Sequence, residues 1–399
     1  MSESELNCLG FSQTMCEPIK GDVAQTTIFR RFSCVYIPIV PSTKMNLKMP
    51  IDGDVVGKIT SKENMKKEKK ALRLLKKYVD GFETFAPKFF GVSVPEFWEN
   101  GIIPPPRMFS EETHLKQLIY EDGGRSLYEN MNLPFPKKFV YLRPIFEALV
   151  KLGKAQFLHG DVDVQHILFN EKTRKTYLID YTNMRSYSDL GEKVNNGTVY
   201  NFTDGISIYP PEYSAKLKDT ILNDLYNDSD SHFGSDYDSD DSDYEDFELA
   251  QTRWIHDYHF DDFMRQFSLH DLAPLSVYDA RLTAKFKMSY RKKELSSFAH
   301  DIVYNDNGLS AADEYKNCLM RTMGTFDVYG LGLFMLKLWL MDDKEGCINP
   351  DVMHIIIVER ILELIGHMIE PNPNKRWDAS KVFERYLKIW MDIYSRVFS

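Results

Sequence analysis

Two apolar segments that each contain an aspartate constrain this chain more than any other feature of its sequence. Residues 157–169 read FLHGDVDVQHILF and residues 175–182 read KTYLIDYT, which places Asp161 and Asp180 19 positions apart. Strand-like residues beside an acid, repeated after such an interval, can form a hairpin-like unit that brings two carboxylates to one pocket. The simpler alternative is a pair of strand-end aspartates that cap turns.

A pair of carboxylates in one pocket suits phosphoryl transfer. In that reaction one carboxylate orients the attacking hydroxyl and the other holds Mg²⁺ against the phosphates, because catalysis depends on positioning and on charge neutralisation. Asp161 and Asp180 are therefore candidates for these two roles.

Length and composition limit the class of protein in which these aspartates lie. The chain has 399 residues, of which 43% are hydrophobic and 13% aromatic, so it can bury a substantial core and is not collagen-like, globally disordered or disulfide-dense. This length suits two domains. The formal charge of −10 argues against general coating of nucleic acid, and we expect no nucleic-acid partner.

The sequence predicts neither a membrane span nor disulfides. The first residues, MSESELN, are acidic and lack an apolar signal core. The longest apolar stretch, residues 328–341, is too short to cross a bilayer and contains Lys337. The five cysteines are scattered and include no CxxC pair, which indicates reduced thiols in a cytosol-like compartment.

The apolar pattern changes from strand-like to helical along the chain. Residues 1–120 contain the short β-type runs TTIFRRF, CVYIPIV, DVVGKIT and KQLIYED, and one strong helix is predicted at Lys62–Tyr78. After EDGG the pattern is largely helical, as in FDVYGLGLFMLKLWLM and VMHIIIVERILELIGHMI. We therefore predict an α+β protein with a small strand-rich lobe, a larger helical lobe and a ligand cleft between them.

An acidic segment interrupts the helical part. Residues 219–252 contain no lysine or arginine and have few aliphatic residues, so we predict a disordered, flexible insert. It could repel acidic substrates, attract basic ones, block the cleft as a substrate mimic, or be a solvated spacer. Its serines, between Ser229 and Ser242, lie in a context that acid-directed kinases favour. Further along, His256 and His259 are predicted to be ordinary helix or loop residues and not zinc ligands.

Eight motifs resemble those of the protein-kinase superfamily and follow the order of that family. HGD at Asp161 resembles the catalytic-loop signature, DYT at Asp180 resembles the metal-binding DFG, and VVGKI at Lys58 resembles the strand whose lysine pairs with nucleotide phosphates. The other five matches are ExxxLxxL from Glu68, LIYEDGGRSL with Tyr120, YPPEY with Glu212, FDVYGLGLFML with Asp327, and PNPNKRWDA with Arg376. The resemblance covers about residues 50–385 outside the acidic segment.

The resemblance implies a bilobal protein-kinase-like fold, with an N-lobe at residues 1–122, a C-lobe at residues 123–399 and the insert at residues 219–252. It implies catalytic roles for Asp161, Lys58 and Glu68, and a metal site at Asp180 and His166. The implied nucleotide contacts are Lys58, the gatekeeper Tyr120 and the hinge residues Glu121, Asp122 and Gly123. The implied structural residues are His159, Glu212 paired with Arg376, and Asp327 bracing the catalytic loop.

The chain departs from the family pattern at three places that bear on activity. His166 occupies the position of a metal-binding asparagine, and it could favour Mn²⁺, leave one metal site empty or donate a hydrogen bond. Asp163 replaces a lysine, and it could join the metal shell or point to solvent. No glycine before Lys58 belongs to a GxGxxG motif, so the phosphate-covering loop is degenerate or absent. The interval of ten residues from Lys58 to Glu68 is also short for the family.

Three functional interpretations remain. The first is a Ser/Thr-type protein kinase that uses ATP with Mg²⁺ or Mn²⁺ and acts on protein substrates, of which basic ones would suit the acidic insert. The second is a pseudokinase scaffold, and the third is a small-molecule phosphotransferase similar to the aminoglycoside phosphotransferases, which YPPEY and DVYGLG oppose. DYT is similar to haspin, and HGD is similar to divergent kinases of large DNA viruses. The viral resemblance implies a location in the host-cell cytoplasm or the virion, and the sequence does not indicate an oligomeric state.

Overall fold

A computed structural model describes residues 26–30, 33–37, 55–94, 115–130, 133–196, 210–213, 286, 288–305, 307–344 and 355–398. The chain forms two compact units, one made of Met1–Asn130 with Gln165–Met184 and the other of Met131–Val164 with Arg185–Ser399. The predicted acidic insert at residues 219–252 lies outside the described residues, as do His256 and His259. The lobe boundary at residue 122 remains a prediction.

The first unit contains a five-stranded antiparallel sheet. Its strands are β1 (Thr26–Arg30), β2 (Ser33–Ile37), β3 (Val55–Ser61), β4 (Phe89–Ser93) and β5 (Leu115–Glu121), in the spatial order β1-β2-β3-β5-β4. Each of the four β-type runs predicted from the sequence contributes a strand, which confirms those predictions. Arg30 lies opposite Ser33, so a connection of only two residues joins β1 to β2.

Helix α1 (Lys62–Tyr78) follows β3 directly and has the predicted bounds. Ser61 caps the helix, since its hydroxyl oxygen accepts a hydrogen bond from the Asn64 N–H. Most of the lysines in α1 are exposed, whereas the opposite face is buried. The buried residues of this face are Glu68, Ala71, Leu72 and Leu75. An otherwise apolar buried face therefore contains one carboxylate.

A smaller antiparallel sheet in the same unit contains the hairpin that lies between Asp161 and Asp180 in sequence. Its strands are β6 (Arg125–Ser126), β8 (Ile167–Asn170) and β9 (Lys175–Leu178), in the order β6-β8-β9. Gly124 precedes β6 with a φ of 83°, and a Cβ at this position would lie 2.2 Å from the carbonyl oxygen of Phe169. The second glycine of EDGG is thus required by both backbone conformation and close packing.

The second unit is mainly helical. Its helices are α2 (Phe135–Tyr141), α3 (Arg143–Lys154), α4 (Tyr187–Asn195), α5 (Met288–Val303), α6 (Ala311–Thr322), α7 (Phe326–Lys344), α8 (Ile355–Met368) and α9 (Ala379–Val397). Two short strands, β7 (Phe157–Leu158) and β10 (Arg185–Ser186), pair antiparallel. The α+β prediction is confirmed in this coarse form, with antiparallel sheets in the N-terminal part and helices in the C-terminal part.

Helix α7 lies in the core of the helical unit. Every residue from Phe326 to Leu340 is buried except Lys337, which is half-buried. A helix that is apolar on all sides is typical of a protein core. Trp339 is fully buried and packs edge-on against Phe135, with 5.0 Å between the ring centroids. Within the described residues no helix is both long and apolar enough to cross a bilayer.

Candidate functional site

The pairing of β3 with β5 determines which side chains share one face of the large sheet. Val56 lies opposite Tyr120, and Lys58 lies opposite Leu118. Residues directly opposite each other on antiparallel strands share a face, as do alternate residues along one strand. Lys58 and Tyr120 therefore project from the same face of the sheet, and both contact Glu68 of α1.

Lys58 is the centre of a buried cluster of charges. Its Nζ lies 2.8 Å from Glu68 Oε2 and 2.8 Å from Asp180 Oδ1. Lys58 is 7% exposed and Glu68 is 2% exposed. Because β3 passes into α1 without a loop, the short interval of ten residues is enough to bring the lysine and the glutamate together. The structure thus places three of the predicted site residues in direct contact.

The cluster keeps its lysine and its aspartate charged. Burial alone would lower the pKa of Lys58, but the charges of Asp180 and Glu68 outweigh it and raise that pKa. Burial alone would raise the pKa of Asp180, but the charges of Lys58 and His166 hold it well below its usual range. Burial raises the pKa of Glu68, although Lys58 opposes the shift. A cation is therefore fixed between two acids near neutral pH.

The backbone at Asp180 determines where its carboxylate points. Asp180 has φ 66° and ψ 71°, in the left-handed region, which aspartate tolerates better than most residues. Its Oδ1 accepts a hydrogen bond of 2.6 Å from the Thr182 hydroxyl. Its Oδ2 lies 3.8 Å from His166 Nε2, too far for a direct hydrogen bond. The two carboxylate oxygens therefore face different partners, Lys58 on one side and His166 on the other.

Asp180 and His166 together offer two donors to a metal ion. Among the described residues no group of three or more His, Cys, Asp or Glu side chains could hold a metal. Mg²⁺ is commonly bound through one or two carboxylates, with waters and substrate phosphates completing the shell, while imidazole suits transition metals such as Mn²⁺ less than it suits zinc or copper. Two side chains are too few to enclose a metal ion, so any ion held by Asp180 and His166 would need further ligands such as water.

The charged cluster lines a pocket that lies entirely within the first unit. The empty space of this pocket is about 620 Å³, a volume that includes open solvent at its mouth. Three groups of residues form its wall: the charged cluster, residues 121–124 and a set of apolar side chains. The apolar side chains are Val56, Leu72, Pro87, Leu168 and Ile179. Tyr120 and Tyr181 complete the lining.

Hydrogen bonds fix the predicted hinge residues. Glu121 accepts a bond of 3.1 Å from the Tyr177 hydroxyl, and burial raises the pKa of Tyr177 to about 12. Asp122 Oδ1 accepts a bond of 2.8 Å from the Gly124 N–H, and the Asp122 carbonyl accepts one of 2.8 Å from Asn170 Nδ2. Sequence reasoning missed Tyr177 and Asn170. The position of Asn170, at the end of an apolar strand and before a turn, was the available signal.

Asp161 lies in the second unit, where Asp327 fixes the loop that precedes it. The His159 N–H donates to Asp327 Oδ2 at 2.6 Å, and the Gly160 N–H donates to Oδ1 at 2.9 Å. Burial raises the pKa of Asp327 to about 6. The two backbone hydrogen bonds lower this pKa, and the negative charge of Asp161 raises it further. His159 is completely buried and Asp161 is half-buried. This loop is therefore braced by a carboxylate that lies 168 and 167 positions after its two donors, His159 and Gly160.

The carboxylate of Asp163 is held by its own loop and lies near a lysine of α7. Its Oδ1 accepts a hydrogen bond of 2.7 Å from the Val164 N–H and lies 4.0 Å from Lys337 Nζ. The side chain is 25% exposed, so it does not extend freely into solvent. A cation from α7 lies beside this aspartate.

Glu212 and Arg376 form a buried bidentate ion pair in the second unit. The two Nη–Oε distances are 2.7 and 3.1 Å, and both side chains are 0% exposed. Arg376 Nε also donates to the Glu370 carbonyl at 2.9 Å, and its guanidinium lies 4.9 Å from the centre of the Tyr329 ring. A fully buried pair with this many partners fixes the segment around Glu212 against the helices.

Comparison with known proteins gives little further information. No family model matches the chain, and no curated protein matches it. Among solved structures, the chain is similar to the Cydia pomonella granulovirus kinase PK-1, with 17% identity and a TM-score of 0.31. The match covers 48% of this chain and 60% of that chain, less than two thirds of its length.

Proposed function

We propose that this chain is an ATP-dependent protein kinase of the Ser/Thr type. The observation that carries the proposal is the buried contact of Lys58 with both Glu68 and Asp180, in a pocket that residues 121–124 also line. The apolar walls of the pocket suit a nucleobase. A lysine held cationic beside a carboxylate suits the phosphates and their metal.

Each residue has a role that its chemistry supports. Lys58 would bind the nucleotide phosphates and Glu68 would orient Lys58. Asp180 and His166 would hold a divalent ion, Mg²⁺ or Mn²⁺, which neutralises phosphate charge when bound. Asp161 would orient the substrate hydroxyl and accept its proton while the γ-phosphorus forms a bond to that oxygen and its bond to ADP breaks.

A pseudokinase is the second candidate, and two positions favour it. His166 offers an imidazole where Mg²⁺ prefers oxygen. Asp163 adds a negative charge beside the proposed catalytic loop, although Lys337 lies 4.0 Å from it. A protein with these features could bind a nucleotide without transferring phosphate.

Phosphate transfer by the purified chain tests the proposal. The chain is incubated with labelled ATP, either Mg²⁺ or Mn²⁺, and a basic protein substrate. We expect transfer by the wild type, a loss of roughly a hundredfold or more in Asp161→Asn and in Lys58→Met, and no loss in Lys67→Met, whose lysine is exposed on α1.

Other outcomes identify the competing functions. Equal transfer by wild type and Asp161→Asn refutes the assignment of the catalytic base. Stabilisation by nucleotide that needs no metal and is accompanied by no transfer identifies a pseudokinase. Phosphorylation of small alcohols in place of proteins identifies a small-molecule phosphotransferase.

A further inference from the structure

The hydroxyl of Tyr120 makes a contact that no sequence motif indicates. It donates a hydrogen bond of 2.8 Å to Glu68 Oε1, while Lys58 Nζ lies 2.8 Å from Oε2 of the same carboxylate. Each oxygen of this buried carboxylate therefore has its own donor. One donor comes from β5 and the other from β3.

The position of the Tyr120 hydroxyl is set by the sheet. Tyr120 lies in β5 opposite Val56 and is 7% exposed. Its ring packs against Phe89 of β4, with 5.3 Å between the centroids and a tilt of 50° between the planes. Burial and the charge of Glu68 raise the pKa of Tyr120 well above its usual value, so the hydroxyl keeps its proton and remains a donor. A fixed ring on a central part of the sheet thus presents a fixed donor to α1.

We propose that Tyr120 is a positioning residue, whose hydroxyl holds the Glu68 carboxylate in the orientation that pairs it with Lys58. A carboxylate can rotate about its last side-chain bond, and a single donor on one oxygen does not prevent this. Two donors on separate strands define one orientation. Tyr120, Glu68 and Lys58 all belong to the first unit, so this orientation is set by contacts within that unit.

The catalytic consequence rests on the proposed function. If Lys58 binds the nucleotide phosphates, an unrestrained Glu68 leaves the lysine free to remain with Asp180 alone, 2.8 Å away. Phosphates would then be poorly aligned for transfer even though the nucleobase contacts remain. The expected defect is in kcat more than in KM for ATP, because the lost interaction is one of alignment and not of general binding.

The test uses Tyr120→Phe, which keeps the ring and removes only the hydroxyl. We expect kcat to fall roughly ten- to a hundredfold, as for the loss of a hydrogen bond to a charged group, with KM for ATP nearly unchanged. Tyr290→Phe is the matched control, since the Tyr290 hydroxyl donates to Glu370 Oε2 at 2.9 Å in the helical unit. It removes the same kind of bond and should leave kcat unchanged. A higher KM with normal kcat in Tyr120→Phe would overturn the proposal.

A double-mutant cycle with Glu68→Ala shows whether Tyr120 acts through Glu68. In the Glu68→Ala background, Tyr120→Phe should cause no further loss of kcat. Equal losses in both backgrounds would mean that the hydroxyl acts independently of Glu68 and would overturn the proposal.

The four proteins of this cycle (the wild type, Tyr120→Phe, Glu68→Ala and the double variant) also distinguish a failure of this proposal from a failure of the proposed function. If the wild type transfers no phosphate, the kinase proposal fails, but unfolding without nucleotide can still be followed by circular dichroism. Tyr120→Phe should then destabilise the chain in the wild-type background and much less in the Glu68→Ala background. Additive destabilisation would overturn the positioning role whether or not the chain is an enzyme.

Discussion

Replacing Lys58 by methionine should destabilise the first unit, because it removes the cation from two buried carboxylates. Removing one partner of a buried ion pair usually costs about 3–5 kcal/mol, since the remaining charge is left uncompensated. Glu68 is 2% exposed and would keep only its hydrogen bond from Tyr120. The Asp180 side chain is 17% exposed and keeps the Thr182 hydroxyl, so water relieves part of its charge. We therefore expect the low end, about 3 kcal/mol.

Hydrogen exchange measured by mass spectrometry reports the loss of stability separately for each of the two units. If the strands exchange through opening of the first unit, a loss of about 3 kcal/mol speeds exchange of the β3 and β5 amides by about a hundredfold. The amides of α9, in the helical unit, provide an internal reference. Lys67→Met is the matched variant, because Lys67 pairs with Glu63 on the exposed side of α1 and its loss should have no measurable effect.

Two results would refute this reasoning. Exchange of β3 and β5 in Lys58→Met within twofold of that in Lys67→Met would show that the buried carboxylates do not depend on the lysine. A second substitution, Glu68→Gln, should recover part of the loss because it removes one of the two stranded charges. Further destabilisation by Glu68→Gln in the Lys58→Met background would contradict the electrostatic explanation.

Two further predictions concern the helical unit. Arg376→Met should lower the free energy of unfolding, measured in urea, by about 3–5 kcal/mol, because it leaves the fully buried Glu212 carboxylate without its cation. Arg360→Met breaks an ion pair with Asp392 whose side chains are 41% and 46% exposed, so it should lower the free energy of unfolding far less. Equal losses in the two variants would contradict this prediction. The raised pKa of Asp327, about 6 in the folded chain, means that its ionisation penalises folding; the penalty begins near pH 4, grows as the pH rises and is complete above about pH 7. Wild-type stability relative to Asp327→Asn should therefore fall by about 2 kcal/mol between pH 4 and pH 6.5, and a constant difference would refute a raised pKa for Asp327.

Local sequence patterns were sufficient for the elements that position the site. The short β-type runs predict the strands that contain Lys58 and Tyr120, and helical spacing of apolar residues predicts Lys62–Tyr78 with its observed bounds. These signals are local, because periodicity depends on residues within a few positions of each other. The contact of Lys58 with Glu68 follows almost directly, since the strand and the helix are continuous.

Contacts that depend on strand register could not be read in the same way. Tyr120 meets Glu68 only because β5 pairs with β3 so that Tyr120 lies opposite Val56, and a shift of one residue would turn the tyrosine to the other face. No nearby residue in the sequence specifies that register. The bond from Asn170 to the Asp122 carbonyl similarly depends on how the small sheet packs beside the hinge.

Asp163 and Lys337 are each unusual in the sequence, and in the structure the two side chains lie close together. In sequence, Asp163 reverses the charge expected near a transferring phosphate, and Lys337 interrupts an apolar helix. In the structure, the lysine Nζ lies 4.0 Å from the Asp163 carboxylate, and their side chains are 18% and 25% exposed. Burying either charge alone would be costly, and each reduces that cost for the other. Lys337 of α7 therefore offsets part of the negative charge that Asp163 brings to the loop.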